Sequence, residues 1–196
     1  MPKSWKKNCK IIAANFGSHH EWWINEIKKV KFRNIKFLKD RQIFRINNNL
    51  NFILFINDQG ETDSSLLINY KNKKILLQTD NIMSKNEAKK ISKNHNIDVL
   101  FAMPFMTGAF PAFYRIKPIN PKLMIKGSQL KRLRSLKYST DITKILKPKF
   151  VIPYASDIAY MGENFFANFI SSQNKNDFRD FIKKRKIKSK VKVMSS

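Results

Sequence analysis

The chain has 196 residues and a formal net charge of +25, with 42% hydrophobic residues, 12% aromatic residues and 16 Phe. That apolar load is enough for a core and excludes a disordered chain, and the length fits one domain, or one domain with a tail. A single Cys, Cys9, excludes an intrachain disulfide, and no run approaches the ~18 apolar residues of a membrane span, so a cytoplasmic location is expected.

In chain order, Lys10–Asn15 is a short apolar run that reads as a strand. His20–Lys29 places Trp22, Trp23, Ile24 and Ile27 at helical spacing. Lys31–Leu38 and Gln42–Ile46 alternate apolar and polar residues as strands do, and Leu50–Ile56 is a third, heavier strand ending in the turn cluster Asn57-Asp58-Gln59-Gly60. Ser64–Tyr70 and Lys73–Thr79 form a hairpin across Lys71-Asn72, with Asp80 at its exit. Ser84 with Glu87 three residues later has capping-box spacing and opens a helix to about Asn94. Asp98–Pro104 is a continuous apolar strand, the pattern of a strand covered on both faces. Pro111–Pro121 reads as loop, with Pro118 and Pro121 as breakers. Leu123–Leu146 reads as one or two helices closed by Pro148, with Leu130, Leu133, Leu136, Ile142, Ile145 and Leu146 as the apolar positions. Phe150–Ala155 is a second buried strand, Glu163–Ile170 and Asp177–Lys184 are short helices, and Lys188–Met194 is an edge strand. Strands first, then strands alternating with helices, predict an α/β or α+β fold with a mixed sheet covered by helices. Residues 1–196 read as a single domain, with 171–196 a basic C-terminal segment.

Few groups are placed to carry chemistry. Three His, two of them the neighbours His19 and His20, offer no HxHxD or HExxH spacing. Asp58, Asp63, Asp80 and Asp157 lie at strand ends or loops, where carboxylates bind hard cations or simply stabilise turns. The loop Phe105–Arg115 follows a buried strand, as cleft loops do, or it packs Phe and Pro beneath itself. There is no Walker A loop, no GxGxxG and no GxSxG, and no catalytic residue is assigned. The basic charge favours polyanions, but it is Lys-rich rather than Arg-rich and spread along the chain, as a solvated surface in a Lys-, Asn- and Ile-biased genome would be. A basic module for nucleic acid or an anionic sugar or nucleotide remains the alternative, without RNP, KH or zinc-finger signals.

Asp63–Ile68 and Lys74–Asn81, followed by Gly108-Ala109-Phe110-Pro111, the Leu123–Leu146 helix, Val151–Ser156 and Glu163–Phe166, resemble in order and spacing the metallo-β-lactamase-fold superfamily. The closest branch by this resemblance is the CMP-N-acetylneuraminate hydroxylase-like one, matched over its carboxyl-terminal half only. The resemblance implies half of a four-layer αββα sandwich with a metal cleft between sheets. Asp80 would correspond to the bridging Asp, with Asp58 beside it, and Gly108, Phe110, Pro111, Ser156 and Asp157 would line the cleft. The family's later His positions would fall near Asn57 or Asp58 and near Ala155 or Ser156, none of which is His, and the HxHxDH motif is absent. The implied protein is a truncated or split metal-dependent hydrolase- or oxygenase-like chain, inactive in isolation, or a non-catalytic subunit. Zinc, iron or manganese would be held only with ligands from a partner, either a separately encoded amino-terminal half or a second copy covering a bare sheet face.

Overall fold

Apolar residues dominate Leu50–Ile56, Leu66–Ile68 and Ile75–Leu77, and the two connections between these strands are polar. In the computed structural model, which describes residues 10–17, 20–29, 34–59, 63–104, 120–154 and 175–193, this stretch is an antiparallel meander. The described elements are β1 (Lys10–Ala14), α1 (His20–Lys29), β2 (Asn34–Leu38), β3 (Ile43–Asn47), β4 (Leu50–Ile56), β5 (Ser64–Tyr70), β6 (Lys73–Leu77), α2 (Lys85–Asn94), β7 (Val99–Ala102), α3 (Pro121–Leu146), β8 (Phe150–Pro153), α4 (Lys175–Lys184) and β9 (Lys190–Val191). Internal packing divides the chain into two units, Met1–Ser84 and Lys85–Ser196.

In the first unit β3, β4, β5 and β6 pair antiparallel in sequence order. The β5–β6 turn is Lys71-Asn72, both at positive φ (43° and 63°), the backbone of a type I′ hairpin whose twist matches its strands. β4 pairs with β5 along its full length, from Leu50 opposite Tyr70 to Ile56 opposite Ser64. β1 and β2 pair parallel, with α1 between them in sequence as the crossover that parallel strands require. Ala14 and Leu38 from this pair join Phe44 and Leu54 in a buried cluster, with Ile12, Phe16, Phe52, Ile56 and Leu66 packed on it. The ammonium groups of Lys10 and Lys36 lie 5.1 and 5.0 Å from the centre of the Phe44 ring.

In the second unit β7, β8 and β9 pair parallel. α3 is one unbroken helix of 26 residues. Pro121, expected as a breaker, instead occupies its first turn, where a missing N–H costs nothing. Asn120 caps it, its side chain accepting from the Lys122 and Leu123 amides at 3.0 and 3.4 Å. Lys147 closes it in the left-handed region (φ 49°), its N–H donating to the Thr143 carbonyl. The apolar face expected of this helix is only half right. Leu136, Ile142 and Leu146 are buried, but Leu130 and Leu133 are exposed. The buried side includes Ser128, Ser135, Ser139, Thr140 and Thr143. Several of these hydroxyls find acceptors: Thr140 Oγ1 donates to the Leu136 carbonyl (2.7 Å), Thr143 Oγ1 to Ser139 (2.8 Å), and Ser139 Oγ to Met103 beyond β7 (3.0 Å).

The chain is thus mixed α/β, with an antiparallel meander and a parallel β1–β2 pair in the first unit and parallel strands with helices in the second. The expected β7 and β8 spans shorten to four residues each. The C-terminal helix and edge strand form as α4 and β9, whereas the Glu163–Ile170 helix lies outside the described residues.

Candidate functional site

The exits of β4 and β6 flank the start of β5, so the residues leaving those strands come together. Asn57 follows β4, Gln78 and Asn81 follow β6, and Ser65 lies on β5 between them; all four are buried. They form one hydrogen-bond network. Asn57 Nδ2 donates to Asn81 Oδ1 at 2.9 Å. Asn81 Nδ2 donates to Ser65 Oγ at 3.0 Å and to the Phe55 carbonyl at 3.2 Å. Ser65 Oγ donates to the Gln78 carbonyl at 2.9 Å, and Gln78 Nε2 reaches the Asn81 carbonyl at 3.3 Å. Every member is neutral, and the amide oxygens of both Asn residues already accept: Asn81 Oδ1 from Asn57, and Asn57 Oδ1 from the Gln59 amide at 2.6 Å.

The turn between Gln78 and Asn81 is strained. Thr79, a β-branched residue, adopts φ 57°, a conformation costing about 1–3 kcal/mol. Its hydroxyl sits 2.5 Å from the Ser64 carbonyl and 2.6 Å from the Gln78 carbonyl, and accepts the Asn81 amide at 3.4 Å. These contacts hold the turn closed and leave Asp80 exposed at its tip, without a hydrogen bond or ion pair among the described residues.

Asp58 is committed elsewhere. Its Oδ1 accepts the Ser84 amide at 3.1 Å and its Oδ2 accepts the Ser84 hydroxyl, anchoring the residue that precedes α2. The two carboxylates singled out by sequence therefore serve different ends, one as a turn tip and one as a tether. Gly108, Phe110, Pro111, Ser156 and Asp157 lie outside the described residues, as do Cys9 and His19. Among the described residues, no three His, Cys, Asp or Glu side chains converge on a point where a metal ion could sit. The amide network was not read from the sequence. Its signal was present as buried-type strands that end in Asn57 and in Gln78-Thr79-Asp80-Asn81, polar residues at positions the apolar pattern would continue.

A second polar cluster ties the helices of the second unit. Asp141 of α3 accepts Lys85 Nζ at 2.8 Å from the start of α2 and Arg185 Nη1 at 2.6 Å from beyond α4. Arg185 also reaches Thr140 Oγ1 at 2.7 Å. Burial opposes ionisation of Asp141, but the hydrogen bonds and charges of Lys85 and Arg185 outweigh it and hold the carboxyl below its ordinary value.

No protein-family model and no curated protein matches the sequence. Solved structures do match its fold. Igni18, a metallo hydrolase from the archaeon Ignicoccus hospitalis, superposes with a TM-score of 0.54 at 14% identity, over 95% of this chain and 66% of its own. An isothiocyanate hydrolase from Delia radicum gut bacteria gives 0.51 at 14% identity, over 98% and 68%. The metallo-β-lactamase fold protein YhfI from Bacillus subtilis gives 0.51 at 10% identity, over 88% and 59%. The fold is of the metallo-β-lactamase type. The chain spans less than two thirds of the length of Igni18 and of YhfI. No helix among the described residues is long and apolar enough to cross a membrane.

Proposed function

We propose that this chain contributes part of a metallo-β-lactamase-type hydrolase fold and holds no catalytic metal by itself. The observation that carries this reading is the buried Asn57–Asn81 pair, at 2.9 Å, standing where the resemblance puts one of the family's metal-binding positions. A neutral amide bonded to another amide is a poor ligand for zinc or iron, which take imidazole, thiolate or free carboxylate. Asp58, beside it, has both oxygens engaged by Ser84. Asp80, although exposed, is one carboxylate, and a single carboxylate does not bind a transition metal tightly.

Within this reading the chain sits in the sialate-hydroxylase-like branch, supported by the order of the β5–β6 hairpin, β7, α3 and β8. Metal-dependent chemistry would require imidazoles supplied in trans, from a separately encoded segment or a second copy. The exposed Leu123, Leu130 and Leu133 of α3 support such a partner. The test is the metal content of the purified chain after equilibration with zinc, iron(II) or manganese and desalting. We expect well below one equivalent of each. One equivalent held with submicromolar affinity, and lost in Asp80→Asn, would refute the reading.

A further inference from the structure

The turns that follow α3 and α4 border a half-open cavity of about 630 Å³ in the second unit. Six cationic residues line it: Lys144, Lys147, Lys149, Arg185, Lys186 and Lys188. No acidic and no aromatic residue lines it; Pro148 and Ile187 supply the apolar wall. It lies where the chain enters β8, at the opposite end of that strand from the loop that the resemblance assigns to the metal cleft.

Two of the six cations have acidic partners. Arg185 pairs with Asp141 at 2.6 Å and Lys149 with Asp98 at 2.7 Å. Lys144, Lys147, Lys186 and Lys188 have none among the described residues. Two helix C-termini meet here, and each contributes the equivalent of about −0.5 charge. Together they offset about one lysine, so an excess of roughly three positive charges remains in a concave site, where field lines concentrate. Lys147 and Lys186 both sit in the left-handed region, with φ 49° and 54°. Glycine is favoured at such helix ends, and lysine is strained there. The chain thus accepts strain at the two turns that bring cations to the cavity.

We propose that this cavity binds a compact polyphosphate, the linked di- or triphosphate of a small molecule. The volume falls within the range of small-ligand pockets, about 300–1,000 Å³. A single phosphate carries about −1.5 to −2 charge, too little for the excess, whereas linked phosphates match it. Lysine ammonium groups bind phosphate as point charges and do not demand the planar geometry of arginine. Single-stranded nucleic acid is the weaker candidate because no aromatic side chain is present to stack a base.

The test is calorimetric titration of the full chain with inorganic tripolyphosphate at physiological salt, beside orthophosphate and a single-stranded RNA oligonucleotide. We expect one equivalent of tripolyphosphate, bound more than about tenfold tighter than orthophosphate. Lys147→Gly/Lys186→Gly and Lys144→Gln/Lys188→Gln should each weaken it by about tenfold or more, and Lys89→Gln/Lys93→Gln, an equal charge loss on α2, by less than about twofold. The glycine pair should melt no lower than the parent, since it relieves both left-handed lysines; if it does melt lower, the glutamine pair decides. Several equivalents bound, or equal losses in the cavity and α2 variants, would overturn the proposal in favour of diffuse charge attraction. RNA that displaces tripolyphosphate and depends on the same lysines would overturn it in favour of nucleic acid. Neither result bears on metal content, so this inference and the metal-free reading fail independently.

Discussion

Asn81 shows how much one side chain carries at a strand exit. Fully buried, it accepts from Asn57 and donates to Ser65 and the Phe55 carbonyl, joining β4, β5 and the turn after β6. Asn81→Ala removes the acceptor of the Asn57 side-chain amide, one donor to the Phe55 carbonyl and the donor to Ser65 Oγ. We expect a loss of about 2–3 kcal/mol in urea unfolding, with no change in fold by far-ultraviolet circular dichroism. Asp80→Ala, one residue away and exposed, should change stability by less than about 0.5 kcal/mol in the same assay. This contrast was not legible in the sequence. Asn81 and Asp80 read alike as turn residues, and only the pairing of β4 and β6 on either side of β5 brings Asn57 to Asn81 across 24 positions. The tether from Asp58 was hidden for a related reason: its partner Ser84 is 26 residues away, and local spacing does not report such a contact.

At the scale of elements, short-range chemistry was readable and long-range burial was not. The β5–β6 hairpin was visible because two short apolar runs flank the polar pair Lys71-Asn72, and the turn takes the positive φ values that such a connection needs. α1 and α4 were visible from helical spacing. α3 was misread at its start because Pro121 breaks a helix interior but suits a first turn, and at its middle because Leu130 and Leu133 face solvent while Ser135 and Ser139 face the core. Asp141 makes this helix a pH-dependent link. Its folded carboxyl is held below its ordinary value by Lys85 and Arg185 against the opposing effect of burial. The stabilisation is therefore complete above the unfolded carboxyl's value, about pH 4, and is lost as pH falls below it. Asp141→Asn should cost about 1 kcal/mol at pH 7 once solvent screening is allowed for, and the difference from the parent should shrink as pH falls below about 4. Thermal melts at a series of pH values check this; a penalty independent of pH would assign Asp141 a purely packing role.

For the molecule as a whole, the +25 charge was plain in the sequence, but its distribution was not. The basic C-terminal segment reads as a short helix and an edge strand, and only the fold shows that the turn between them, Arg185 to Ser189, lines one side of a cavity. The two units also differ in how their strands reach one another. β3 to β6 are joined by connections of a few residues, and each strand pairs with the next in sequence. β7 must wait for the whole of α3 before β8 arrives, and β8 must wait for α4 before β9. Closing short loops costs little entropy and hairpins zip in about 1–10 μs, whereas distant parallel pairing is slow. Pulse-labelled hydrogen exchange should find amides of β4 and β5 protected before those of β7 and β8; simultaneous protection would contradict this order. During synthesis, then, the meander is sheltered early while a nascent β7 spends the time needed to translate α3 with its edge unclaimed, the interval in which a chaperone would find the most to hold.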